Sequence, residues 1–246
     1  MRVPRLHAPV PLRPRETVDL DATAARHVRN VLRLREGAAV VLFDGAGSAH
    51  DATLTRLTRD RVTVEVGASR VEDMESPLRV TVALGVSRGE RMDFALQKAV
   101  ELGVHAVCPL TTERTVVRLD AQRAARREAH WRGILVGACE QSGRNRIPDL
   151  APVTRLDTWL RDGPAHGHRL VLDPRTGNTL RSIGAAPDDG VTLLIGPEGG
   201  LAEAERDLAR EHGFVPVGLG PRVLRTETAV IAALTAVMTL WGDLGG

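Results

Sequence analysis

Two short stretches near the end of the chain combine residue types that can do chemistry. Gly196-Pro-Glu-Gly-Gly200 and Gly218-Leu-Gly-Pro-Arg-Val-Leu-Arg225 are rich in glycine and proline, and each runs into a helical pattern. Glycine lets a backbone approach a flat ligand closely, and proline stiffens the turn. Backbone N–H and C=O groups then become fixed donors and acceptors for an adenine or a carboxylate. Charged groups accompany them: Glu198 within the first loop, Arg225 and Glu227 at the end of the second. Arg225 can pair with a carboxylate across the loops, such as Glu198, or act directly on a substrate; the sequence leaves both open. Thr226 and Glu227 also suit an N-cap and a first-turn acid, which stabilise a helix without any catalysis.

Other chemistries are excluded or disfavoured. No G-x-x-x-x-G-K-[ST] occurs, and the one lysine, Lys98, lies inside a helical pattern, so a Walker-type NTPase is excluded. No G-x-G-x-x-G follows a strand at the start of a βαβ unit, which disfavours a dinucleotide dehydrogenase. Cys108 and Cys139 are far apart and form no CxxC pair, which fits a reducing cytosol. His166-Gly-His168, with no cysteine nearby, sits in a Gly/Pro-rich loop and reads as a solvated turn. No metal is expected.

Loops of this kind act only if strands present them, because ligands on open α/β sheets collect at the carboxyl ends of strands. From Leu78 onward the pattern alternates between strands and helices. Val80–Val86 is an apolar run of buried-strand type, and Arg91–Leu102 sets Met92, Ala95, Leu96 and Ala99 on one helical face before Gly103. Val104–Leu110, Leu170–Leu172, Thr192–Ile195 and Val215–Val217 are further strand candidates. Helices are expected over Asp120–Glu140, Ala202–His212 and Thr226–Trp241, the last with a stripe of Val230, Leu234, Val237/Met238 and Trp241. The pattern predicts an α/β domain with a mostly parallel sheet. Three loops leave its strands: Asp173–Asn178, Gly196–Gly200 and Gly218–Arg225.

The first seventy residues read differently. Val40–Phe43, His50–Leu57 and Val62–Val66 are short strands, with Asp44-Gly-Ala-Gly47 as a turn and one helix over Ala22–Leu34, which together suggest a small barrel. The polar stretch Glu72–Pro77 precedes the change of periodicity. The domains are therefore placed at 1–73 and 74–246.

Composition sets the outer limits. Of 246 residues 43% are hydrophobic and 26% charged, which excludes disorder, collagen and coiled coil. No run of about 18 uncharged apolar residues occurs, so no membrane span is expected. The start, Met1 to His7, lacks the apolar core of a secretory signal, and the protein is expected in the cytoplasm. The 33 basic residues are all arginine except Lys98, yet the net charge is only +2. Its placement is more informative. Residues 1–35 hold eight arginines against three acids, 36–75 four against eight, and 111–148 eight against four. Segregation of this kind suits a polyanionic partner better than a uniform basic coat would, but on charge alone arginines that solubilise helix faces explain it.

Leu194-Ile-Gly-Pro-Glu-Gly-Gly-Leu201 followed by Leu219-Gly-Pro-Arg-Val-Leu-Arg-Thr-Glu-Thr-Ala229 resembles the bacterial 16S ribosomal RNA (uracil-N3)-methyltransferases, of the trefoil-knotted SPOUT class. Arg2-Val-Pro-Arg5, Arg29-Asn-Val-Leu-Arg33, Leu42-Phe-Asp-Gly45, Glu75-Ser-Pro-Leu78 and Ser87–Asp93 are also similar to that family. So are Gln97–Gly103 and Ala138–Arg146, in order along nearly the whole chain; the likeness is weakest at 147–190. The resemblance implies an N-terminal PUA-like RNA-binding β-barrel and a C-terminal SPOUT α/β domain with a trefoil knot. It implies a homodimer whose active sites borrow residues from the partner subunit, and the last helix is a candidate interface. By position, Leu172, Gly196, Pro197, Glu198, Gly199, Leu219, Gly220, Leu224, Arg225 and Thr226 would hold S-adenosylmethionine.

Arg225 is then the candidate for stabilising charge on the uracil oxygens, and Glu198 for contact with uracil or for proton transfer. Arg5, Arg29 and Arg33 of the barrel, with Arg88, Arg144, Asn145 and Arg146, would contact RNA. The partner would be 16S ribosomal RNA or the small ribosomal subunit. Two alternatives stay open: a SPOUT enzyme of another RNA, and a non-catalytic RNA-binding assembly factor that keeps the fold.

Overall fold

Strict alternation at period two over Val62–Val66 opens a strand, β5 (Val62–Arg70), with Val62, Val64 and Val66 turned into a core. It belongs to a five-stranded sheet with β1 (Arg5–His7), β2 (Thr17–Asp19), β3 (Ala39–Phe43) and β4 (Ala49–Leu57). The order is β1-β3-β4-β5-β2, parallel between β1 and β3 and antiparallel elsewhere. Leu6 on one edge and Val18 on the other join a single apolar cluster with Leu42, Leu54 and Val64, so the sheet curls round one core. This computed structural model describes residues 3–116, 120–163 and 167–245; Arg2 and His166 lie outside them.

The helix expected over Ala22–Leu34 is shorter and changes type. Asp21 caps α1 (Ala22–Arg26) by accepting the N–H groups of Thr23 and Ala24, each at 2.8 Å. The chain then widens into a π-helical turn over His27–Val31 and leaves through Arg33 at φ +50°. β1 and β2, at three residues each, are too short to show a period, and the sequence reading missed them.

The chain divides into two compact units, and the division is not linear. The first takes Met1–Glu75 together with Val136–Ile147; the second takes Ser76–Leu135 and Pro148–Gly246. The segment 136–147, expected in the second domain, clusters with the first unit, where Arg144 and Asn145 are bonded. Arg144 makes hydrogen bonds to the Glu75 carboxylate at 2.5 to 3.2 Å. Asn145 donates to the Glu72 carbonyl at 2.7 Å and accepts from Arg5 Nη2 at 2.5 Å.

The second unit is built on a seven-stranded sheet. It runs β12 (Val215–Val217), β10 (His168–Leu172), β11 (Val191–Ile195), β6 (Val80–Gly85), β7 (Ala106–Thr111) and β8 (Asp149–Leu150), with β9 (Thr154–Arg155) also on β7. Every pairing is parallel. β11 is buried at all its positions, as a strand covered on both faces must be. The remaining helices of the chain are α2 (Glu90–Glu101), α3 (Ala121–Ser142, of which only the part up to Leu135 belongs to this unit), α4 (Leu156–Asp162), α5 (Glu203–Glu211) and α6 (Thr226–Trp241). α4, β8 and β9 were not anticipated. The Val230, Leu234 and Met238 stripe of α6 is fully buried within the unit, where α6 packs on α2, so it is not the open interface it was expected to offer.

The order of the strands positions the site. From β10 the chain passes to β11 on one side and then to β12 on the other. The connections diverge there, and loops following diverging strands open a crevice at the carboxyl edge of the sheet.

Candidate active site

A cavity of about 430 Å³ lies in that crevice, within the range of small-molecule sites. Leu172 and Asp173 enter it after β10, Ile195–Leu201 after β11, and Val217, Leu219, Gly220 and Leu224 after β12; Thr226 and Ala229 of α6 close it. Every residue expected to hold the cofactor lines this cavity except Arg225. Glycine is required at two places around it. A Cβ on Gly85, at the end of β6, would fall 2.4 Å from the nitrogen and Cδ of Pro197, so only glycine lets the 196–200 loop dock there. Gly220 holds φ +96°, a conformation that side chains resist.

Charge in the cavity is paired and oriented. Asp173 is only 4% exposed. It accepts from the N–H and Nε of Arg175 at 3.0 and 3.2 Å, and Arg206 Nε and Arg210 Nη2 stand 3.6 and 3.8 Å away. Burial by itself raises its carboxyl, but the Arg175 hydrogen bonds and the charges of Arg175 and Arg206 outweigh that and hold it below the usual range. Arg206, nearly buried, also donates to the Leu201 carbonyl.

Glu198 faces the same balance. Burial raises it, while the N–H of Arg88 (3.0 Å), the Ser87 hydroxyl and the charge of Arg91 (3.5 Å) hold it low, as an anion. The guanidinium partner of Glu198 is therefore Arg91, not Arg225. Arg114 Nη1 donates to the Gly199 carbonyl at 3.0 Å and fixes the loop from its other side. Neither Arg91 nor Arg114 was picked out in the sequence, since each lies more than eighty residues from its partner.

Arg225 opens instead onto a second, shallower cavity of about 670 Å³. Arg225, Glu227 and Thr228 at the start of α6 line it, with Arg91, Asp93 and Phe94 of α2 and His130 and Ile134 of α3. The two cavities share the first turn of α6: Thr226 lines one, and its two neighbours line the other. Lys98, whose role the sequence left undefined, pairs with Glu101 at 2.8 Å and lies 5.6 Å over the Phe94 ring.

The residues expected to contact RNA separate into two groups. Arg5, Arg144 and Asn145 are interior: all three are buried and bonded within the first unit, Arg5 also lying 5.1 Å over the Phe43 ring. Arg33, Arg88 and Arg146 are exposed and Arg29 is half-buried. Arg29 donates to the Thr58 carbonyl at 2.9 Å and Arg146 to the Ala46 carbonyl at 2.6 Å.

Known proteins share this arrangement. A family model described as an RNA methyltransferase domain matches residues 74–238, and one described as an RNA methyltransferase PUA domain matches 20–67. The ribosomal RNA small subunit methyltransferase E of Buchnera aphidicola subsp. Schizaphis graminum is 30% identical over 99% of this chain and 98% of its own. Among solved structures, a putative methyltransferase of Legionella pneumophila in complex with SAM superposes with a TM-score of 0.96 at 39% identity, covering 99% of this chain and 100% of that one. The Neisseria gonorrhoeae ribosomal RNA small subunit methyltransferase E, bound to S-adenosyl methionine, gives 0.91 at 43%, covering 98% and 99%. With a methyltransferase-domain match over most of its length and a relative aligned from end to end, the chain belongs to the ribosomal RNA small subunit methyltransferase E family.

Proposed function

We propose that the protein is a SAM-dependent methyltransferase that modifies N3 of a uridine in 16S ribosomal RNA of the small subunit. The observation that carries this reading is the cavity built by the GPEGG and LGPRVLRTET loops, with Arg225 and Arg91 lining the second cavity across the first turn of α6. Its residues fit the cofactor. Leu172, Ile195, Val217, Leu219 and Leu224 supply apolar walls for an adenine, and the glycine-rich turns supply backbone donors and acceptors. When bound, SAM supplies a methyl group on a sulfonium, which needs only in-line approach. The chain's own tasks are to position the base, to take its N3 proton and to stabilise charge growing on the uracil oxygens. Arg225 does the last. Glu198, held as an anion by Arg88 and Arg91, orients Arg91 and the Ser87–Arg91 turn beside the base. N3 is occupied in a base pair, so the target uridine is unpaired or flipped out.

In this reading the loops after β10, β11 and β12 form the trefoil knot of a SPOUT domain. Arg29, Arg33, Arg88 and Arg146 contact RNA phosphates, while Arg5, Arg144 and Asn145 hold up the surface from within. A homodimer forms through the outward face of α6, where Thr228, Ile231 and Thr235 leave a surface without charge; Glu227 is the one charged residue of that helix. A ribosomal substrate puts the protein in the cytoplasm. No described helix is long and apolar enough to cross a membrane.

Nucleoside mass spectrometry of 16S RNA from wild-type and deletion cells tests the assignment. The deletion strain should lack one N3-methyluridine, and loss of a different mark would overturn it. Arg225→Ala should fold normally, since Arg225 is exposed, and lose methyl transfer by at least about tenfold. A folded variant with full turnover removes Arg225 from the mechanism.

A further inference from the structure

Glu227 has a feature that its place in the first turn of a helix does not explain. Its Oε2 is buried and has no hydrogen-bond partner. A buried carboxylate oxygen without a donor is costly to keep, so it points to a donor that arrives with a ligand. Glu227 lines the second cavity, one residue from Thr226 in the cofactor cavity. The other acids of the second cavity are less suited to receive one. Asp93 is taken by His130 at 2.8 Å, Glu90 is exposed, and Glu198 next door already accepts from Arg88, Ser87 and Arg91.

The imide edge of uracil presents an acceptor, a donor and an acceptor: O2, N3–H and O4. The second cavity offers the complement, a carboxylate acceptor together with the guanidinium donors of Arg91 and Arg225. It also offers a ring. Of the three phenylalanines, Phe43 and Phe214 are buried, whereas Phe94 is 45% exposed in this cavity. An exposed ring is a stacking platform for an unpaired base.

We propose that this cavity receives the target uracil, stacked on Phe94, with Glu227 Oε2 accepting the N3 proton. The inference rests on methyl transfer to N3 as read above. As the N3–H bond breaks, its proton passes to Oε2 and its electron pair forms the new bond from N3 to the methyl carbon. The pair of the carbon–sulfur bond that breaks stays on sulfur, and the carboxylic acid of Glu227 later returns its proton to water.

Three measurements on the full-length protein test this, with small subunits lacking the mark as substrate. Glu227→Gln should lower the single-turnover rate by at least about a hundredfold. Its residual rate should climb more steeply with pH than the wild type's, because solvent must then remove the proton. Affinity for SAM, measured by calorimetry, should not change. Phe94→Ala, at an exposed position that leaves folding intact even if the Glu227 variant does not fold, should weaken binding of the unmodified RNA by about tenfold. A Glu227→Gln protein with the wild-type rate and pH slope overturns the proton acceptor, and a Phe94→Ala protein with wild-type RNA affinity overturns the base cavity. If the wild-type product is not N3-methyluridine, the underlying functional reading fails instead, whatever the variants do.

Discussion

Arg144→Ala will destabilise the protein by about 3 kcal/mol, because it strips the partner from a largely desolvated carboxylate. The Arg144 side chain is 5% exposed and that of Glu75 16%, and the two share a fork of hydrogen bonds that reaches 2.5 Å. Removing the arginine leaves Glu75 desolvated, with the Arg146 N–H at 3.3 Å as its remaining bond from that segment. Urea unfolding should show the loss as a lower midpoint at an unchanged slope. Glu75→Ala should cost a similar amount, and the double variant less than the sum of the two, as expected for residues in direct contact. If Arg144 served only to touch RNA, stability would be unaffected and RNA affinity alone would fall.

The second large effect belongs to the cofactor cavity. Asp173→Ala will cost about 3 kcal/mol, and Arg206 is the reason. Arg175 and Arg210 are 60% and 45% exposed and can turn to water, but Arg206, at 11%, stays behind as a nearly buried cation. The floor of the cavity loosens with it, so affinity for SAM falls as well. Acid sensitivity gives an independent check. The Asp173 carboxyl sits below its unfolded value, so its stabilisation is complete above about pH 4 and disappears as pH falls through the lower folded value. Unfolding measured from pH 5 to pH 2 should show a smaller loss in Asp173→Ala than in wild type. An equal loss in both would mean that the arginine cluster contributes nothing through this group.

What could be read in advance was whatever is local. Val62–Val66 alternates at period two, α6 carries the spaced stripe of Val230, Leu234 and Met238, and the glycine and proline loops at 196–200 and 218–225 announce a ligand cradle through backbone chemistry alone. All of the first loop and most of the second do line one cavity. What could not be read were partners across long separations. Glu198 looked as well matched to Arg225 as to Arg91, since charge complementarity without geometry does not choose between two arginines. Arg144 and Asn145 looked like surface contacts because nothing near them in sequence reveals that Glu75 and Glu72 enclose them. The α6 stripe was visible as apolar, but an apolar stripe does not say whether its own protomer or a second copy covers it.

The non-contiguous makeup of the first unit bears on how the chain folds as it is synthesised. Its curled sheet is specified by residue 75, yet the side chains that lock Arg5, Glu72 and Glu75 in place come from 144 and 145, about 140 positions downstream of the first. Closing so long a loop is entropically slow, and it raises the contact order of an otherwise local domain. Until residue 147 has left the ribosome, the N-terminal module is a sheet without its clasp, and its completion is tied to translation of the first strands and helices of the second unit. A fragment cut after residue 73 would lack that clasp permanently, and it should be less stable and more open to proteolysis than the same sequence within the whole chain.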